Sequence, residues 1–385
     1  MFLLKLILRN GLRHRLRTAL TVVGLVVAFL SFGLLQTVVD AWYSGAEGAA
    51  PNRLITRNAV SLVVPMPRHY RDKIRSVEGV RSVAAANWFA GIYQEPKNFF
   101  PQFAVDAVPY FAMYPEYRVS ADEFRAFLRE RKGAIVGRKL AQTYGFRIGD
   151  SVPLKGTIFP GNWEFVVRGI YDGAEAKTDT SQFFFHWDYL NESVKTRFPL
   201  RANQVGVFVI QIDDVDRAAG VSESIDGLFR NSPAETLTET EQAFQIGFVK
   251  QTEAIVIAIR IVSFVVIFII LAVMANTMAM TARERLREYA TLKALGFGPG
   301  FLAALIYGES LAIAAIGSAI GVALTFPVGD WFAAKMGTLF PVFEVSRETV
   351  FLQFLCAAGV GVIAAALPAL RAARVRIVDG LRAVG

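Results

Sequence analysis

Four stretches of this sequence are long, apolar and free of charge, and little but a bilayer accommodates all four in one chain. Residues 18–39, 261–282, 310–329 and 349–370 contain no Asp, Glu, Lys or Arg. A helix needs about 20 apolar residues to cross about 30 Å of hydrocarbon, and each stretch meets that length. Composition agrees. The 385 residues are 54% hydrophobic and 19% charged, whereas a soluble domain is about 45–50% apolar and about 25% charged. Cys356, inside an apolar run, is the only cysteine, so no intrachain disulfide forms. It reads as a small hydrophobe facing lipid or another helix.

The net charge of +8 is placed beside these runs. Lys5, Arg9, Arg13, Arg15 and Arg17 precede the first. Arg283, Arg285, Arg287 and Lys293 follow the second, and Arg371, Arg374, Arg376 and Arg382 follow the fourth. Between the third and fourth the charges are mixed. The positive-inside rule then puts both termini in the cytoplasm. A cleaved signal peptide is the competing reading of the first run, which is too long for an apolar signal core of about 7–15 residues.

The expected chain is a membrane α-helical protein with a large extracytoplasmic α+β domain between its first two spans. A cytoplasmic interfacial helix occupies 1–17, and the first span 18–40. The external domain, 41–253, ends in a stalk helix. The second span is 254–282, followed by a cytoplasmic helix and turn at 283–299. The third span is 300–329, the external loop 330–348, the fourth span 349–370, and a basic tail 371–385. In the first segment Lys5, Arg9, Arg13 and Arg17 recur every four residues beside Leu4, Leu8, Leu12 and Leu16. That stripe fits a helix lying on anionic headgroups, or a plain topology signal.

Strand-like runs in the external domain include 60–64, 103–107, 164–170 and 205–212. Ser120 with Glu123, and Thr238 with Glu241, fit capping boxes, and 213–230 reads as a further helix. From about Glu239 no proline intervenes before the second span. A continuous helix there would form a rigid stalk of about 30 Å, unless a break near Gly247 uncouples it.

Catalytic patterns are not found. The stretch 156–162 has Asn where a phosphate-binding loop needs Lys, His14, His69 and His186 lack zinc spacing, and no nucleophile elbow occurs. No catalytic or metal site is expected, and the chain draws its energy from a partner. Two ionisable residues remain near or inside the spans. Arg260 lies at the outer end of the second and is expected to snorkel. Glu309 lies in the inner half of the third, where a carboxylate needs a cation, and Arg283, Arg285 or Lys293 is in reach. Gly317 and Gly321 form a GxxxG pattern for close helix packing, expected within one subunit.

Two cytoplasmic segments carry a resemblance. One is 281–296, Thr-Ala-Arg-Glu-Arg-Leu-Arg-Glu-Tyr-Ala-Thr-Leu-Lys-Ala-Leu-Gly, followed by Tyr-Gly-Glu-Ser at 307–310. The other is 367–374, Leu-Pro-Ala-Leu-Arg-Ala-Ala-Arg, followed by Ile-Val-Asp-Gly-Leu-Arg at 377–382. These are similar to the signatures of FtsX-like, MacB-type permeases of ABC transporters. Tyr289-Ala290 and Asp379-Gly380 depart from the family pattern but keep helix or turn character.

The resemblance implies mechanotransmission without a fused ATPase domain. Two permease copies, identical or different, would assemble with two ATPase subunits in the bacterial inner membrane, with ATP and Mg bound by the ATPase. Arg283, Glu284, Leu286, Arg287, Glu288, Tyr289, Leu292, Lys293, Leu295 and Gly296 would form the coupling helix, with Leu286, Tyr289 and Leu292 as apolar anchors. The movement would reach the external domain through the second span and its stalk, driving efflux or export from the periplasm with an adaptor and outer-membrane channel. Lipid or lipoprotein extraction, as in the LolC and LolE branch, is the alternative. Signalling to a cell-wall hydrolase, as in FtsX, is a third reading. Membrane lipids are further partners, and nucleic acid is not.

Overall fold

The computed structural model describes residues 15–175, 177–336, 340 and 342–375. Among them, four helices are long and apolar enough to cross a membrane. The chain divides into two compact units. One holds the spans, through Asp40, over Glu253–Lys335 and from Phe343 onward. The other holds Ala41–Thr252 together with Met336–Val342. The expected interfacial residues Lys5, Arg9 and Arg13 lie outside the described residues.

The first span lies on α1 (Arg15–Glu47), which continues beyond the predicted limits of 18–40 at both ends. The external unit follows, with β1 (Arg53–Asn58), β2 (Met66–Pro67), α2 (Tyr70–Arg75), β3 (Val80–Trp88), β4 (Gln102–Val105), α3 (Ala107–Met113), β5 (Tyr117–Arg118), α4 (Ala121–Arg129), β6 (Gly133–Gly137), α5 (Arg138–Tyr144), β7 (Ser151–Gly156) and β8 (Gly161–Gly173). Then come β9 (Phe183–His186), α6 (Trp187–Arg197), β10 (Gln204–Val205), β11 (Val207–Ile212), α7 (Ala218–Leu228), β12 (Thr236–Thr240) and α8 (Glu241–Gln251).

Ten strands form one mixed sheet in the order β12-β1-β11-β3-β4-β9-β6-β8-β5, with β7 on β8, while β2 and β10 pair separately. The β4–β9 and β6–β8 pairs are parallel and the rest antiparallel. Successive strand residues point to opposite faces, and the sheet buries both. Phe183 and Phe185 join one core with Ile74, Leu140, Leu190 and Ile225 from helices. Phe184 joins a second with Tyr110, Met113 and Phe127. Helices therefore cover both faces, the mixed α and β domain that was expected.

Several local expectations are corrected. The strand expected at 60–64 is a loop, because Asn58 Oδ1 accepts from the Val60 amide and Ser61 Oγ from the Val63 amide, closing turns that compete with strand pairing. The strand is β1, just before it. Ser120 does cap α4 by accepting from the Glu123 amide at 3.2 Å, but the Glu123 carboxylate takes the Ile170 amide instead of closing the box. The helix expected at 213–230 starts late: Asp214 caps a 3-10 turn at Val215–Arg217, and α7 follows.

The capping box at Thr238 and Glu241 does not form. Asp226 takes both the Thr238 amide and hydroxyl, at 2.9 and 2.7 Å, and β12 runs on to Thr240. Thr240 is the cap, accepting from the Ala243 amide at 3.1 Å. Glu241 turns inward to the buried Arg53 guanidinium, with Nε to Oε2 at 2.5 Å. Arg53 also donates to Glu116 at 2.7 Å and to the Met113 carbonyl at 3.0 Å. The stalk is shorter than expected: α8 stops at Gln251, and Thr252 separates it from the next helix.

The remaining spans lie on α9 (Glu253–Glu284), α11 (Pro299–Met336) and α12 (Arg347–Arg374), with α10 (Leu286–Ala294) between the first two of these. Because α11 reaches Met336, the loop expected at 330–348 is shorter. Small residues let these helices pack closely. A Cβ at Gly317 would lie 2.5 Å from the Leu25 Cβ, and one at Gly321 would lie 3.0 Å from the Phe29 Cβ. The GxxxG face therefore meets α1 within the same chain. Ala357, Ala364, Ala365, Ala369 and Ala372 bury a similar stripe of α12.

Candidate coupling site

The site is built where α9 gives way to α10. The break falls at Arg285, whose amide still bonds the Thr281 carbonyl at 3.2 Å. From there Tyr289 and Ala290 turn inward; Tyr289 is 1% exposed and packs into the core formed by the spans. At the other end the chain closes in a Schellman turn, with the Phe297 amide on the Leu292 carbonyl at 3.1 Å and the Gly296 amide on Lys293 at 3.0 Å. That turn needs a left-handed residue, and Gly296 supplies it with φ +93°.

Three polar tethers fix α10 and its approaches to the other spans. Arg285 Nη1 donates to Glu309 Oε2 of α11 at 2.7 Å, while its Nε donates to Glu288 at 3.0 Å. Burial opposes the Arg285 charge, but Tyr289, Glu288 and Glu309 hold its protonation above the ordinary arginine range. Burial also pushes the Tyr289 phenol up to about 12. Lys293 Nζ donates to the carbonyls of Ala373 and Val375, at 2.7 and 2.8 Å, capping the C-terminal end of α12. Arg17 of α1 forks onto Glu284 with bonds of 2.7 and 2.8 Å.

On the other side α10 and its turn expose Arg287, Thr291, Leu295 and Phe297, and Arg283 is exposed on the last turn of α9. Leu295 is 71% exposed. The Phe297 ring lies 4.6 Å from that of Phe301. The segment is thus tied from behind to α1, α11 and α12, and its other side is exposed.

Comparison with known proteins identifies the family of the chain. The FtsX-like permease C-terminal model matches residues 260–377, and the MacB-like periplasmic core domain model matches residues 18–228, more than half the chain. The chain belongs to the FtsX-like, MacB-type permease family. Its members are ABC transporter permeases, which are not themselves enzymes, and this one is a multi-pass inner-membrane protein.

No curated protein sequence matches this permease. Among solved structures, the extracellular domain of the ABC-type transporter YknZ from Gram-positive bacteria is similar at 14% identity, covering 49% of this chain and 100% of that one, with a TM-score of 0.36. The periplasmic region of MacB from Actinobacillus actinomycetemcomitans is similar at 10% identity, covering 54% and 95%, with a TM-score of 0.37. The family models, not these distant likenesses, carry the assignment.

The residues expected in this permease's coupling helix divide into two sets. Arg283, Arg287, Leu295 and Gly296 are on the outer face. Tyr289, Leu292 and Lys293 are turned to the spans, so the expected outward anchor at Tyr289 is corrected to an inward one, and Leu286 is half-buried. Glu288 is held by Arg285, and Glu284 by Arg17. Arg17, expected to meet lipid headgroups, serves in the structure as an interhelical tether. Glu309 meets one of its three candidate cations, Arg285, while Arg260 is exposed on α9. Sequence reasoning missed Phe297 as part of the outer face and Lys293 as the cap on α12. A signal for the inner face was present: Arg285, Tyr289 and Leu292 fall at i, i+4 and i+7, on one stripe of a helix.

Proposed function

We propose that this chain is the permease subunit of an ABC transporter in which ATP binding and hydrolysis occur on a separate subunit. Their energy moves the external domain and drives export or efflux from the periplasm. The observation that carries the reading is the two-faced α10 segment. Arg285 and Lys293 secure its inner side to α11 and α12, and Leu295 and Phe297 are exposed on the other side. A partner pushing on that side moves several spans together. A complex of two permease copies and two ATPase subunits, with both permease termini in the cytoplasm, completes the proposal.

The test is co-expression with the ABC ATPase from the same gene neighbourhood, followed by purification through a tag on the permease. The expected result is a stable complex in which ATP changes a spin-label distance within the external domain. An ATPase that never co-purifies, or a complex whose external domain ignores ATP, would contradict the proposal.

A further inference from the structure

We infer that Trp42 is a mechanical joint at which three passages of the chain meet: the helix leaving the first span, the segment leading to the second, and the loop between the third and fourth. All three belong to the external unit. Trp42 stands on α1, which runs unbroken from Arg15 to Glu47. Its indole Nε1 donates to Thr252 Oγ1 at 2.8 Å. Thr252 is the residue that separates α8 from α9, and its hydroxyl donates to the Val249 carbonyl at 2.9 Å. The hydroxyl proton is thus spent on α8, and its lone pair receives the indole. On the ring, Phe340 packs edge-on at 5.5 Å between centroids. Phe340 is buried, and its carbonyl accepts from Lys139 Nζ of α5 at 2.6 Å.

The N-terminal end of α8 is held as well, by Glu241 on Arg53. Both clamps on α8, Arg53 and Trp42, come from the chain that has just left the first span. The segment leading to the second span therefore cannot shift against that chain without breaking a buried ion pair or a directed hydrogen bond. The expected rigid stalk into the second span is interrupted at Thr252, whereas α1 is continuous. The stiff lever is consequently α1, and Trp42 gathers the other two passages onto it. As a joint this stands on geometry alone; as a transmission element it rests on the coupling proposal.

Hydrogen–deuterium exchange on the full chain in lipid nanodiscs tests it. Trp42→Phe keeps a ring beside Phe340 but deletes the N–H, and Thr252→Val deletes the acceptor. Each is expected to raise exchange at 249–252 about threefold to tenfold, the range for loss of one hydrogen bond. Trp42→Ala is expected to raise exchange both there and at Phe340, with β3 and β11 unchanged. Unchanged exchange at 249–252 in the first two variants, or release of one segment without the other in Trp42→Ala, would overturn the joint. The expected shifts support the joint even where the external domain ignores ATP on a partner, a failure that would count against the coupling proposal alone.

Discussion

Arg285 and Glu309 form a buried ion pair, Nη1 to Oε2 at 2.7 Å, that ties the α9–α10 junction to α11. Removing one partner of a buried pair leaves an uncompensated charge, which costs about 3–5 kcal/mol, whereas apolar replacement of both is often neutral. Arg285→Met alone should therefore lower the stability of the detergent-purified chain by about that much. Arg285→Met with Glu309→Leu should recover most of it. Thermal or denaturant unfolding monitored by circular dichroism measures the difference, and additive losses would show that the pair is not coupled.

Gly33 and Gln353 make a second specific contact among the spans. The Gln353 amide donates to the Phe29 carbonyl at 2.7 Å and to Thr325 Oγ1 at 3.1 Å, linking α12 to α1 and α11. A Cβ on Gly33 would overlap that amide. Overpacking of this kind costs about 1–3 kcal/mol, so Gly33→Ala should destabilise the chain by that order. Adding Gln353→Ala should relieve the clash. If Gly33→Ala unfolds like wild type, the close approach is absent.

His186 gives the external unit a pH response. Burial pushes its imidazole below the usual value, although the bond to the Phe127 carbonyl at 2.9 Å acts in the opposite direction. The unfolded chain therefore binds a proton near pH 6.5 that the folded chain takes up only at lower pH. Its contribution to stability is present above that range and is lost as pH falls from about 6.5 to the lowered folded value. His186→Gln should flatten this part of the pH profile. Unfolding midpoints of the full chain between about pH 7.5 and about pH 5 test it; parallel profiles would exclude the residue.

Much of the membrane architecture was legible because its cause is local. A charge-free run of bilayer length has few other uses, and Glu309 in an apolar helix required a cation that Arg285 supplies. The features that escaped reading have tertiary causes. No residue between Glu241 and Glu284 is a proline, yet the helix divides at Thr252, where the Trp42 indole meets the hydroxyl. The Thr238 and Glu241 pattern fitted a helix start, but Asp226 and Arg53, distant in sequence, claimed those side chains. Tyr289 read as an anchor for a partner because an apolar stripe does not announce which neighbour it meets. Here the neighbour is the core of the spans.

The coupling role of α10 rests on its two faces having different tasks. Capture of the ATPase subunit by tagged permease, with variants on each face, separates them most directly. Arg287→Glu with Leu295→Asp should abolish capture while the permease still folds and inserts. Lys293→Met should retain capture but weaken the ATP-driven change in the external domain, since Lys293 holds α12 and not the partner. Full capture and full ATP response in the Arg287→Glu, Leu295→Asp variant would contradict the account.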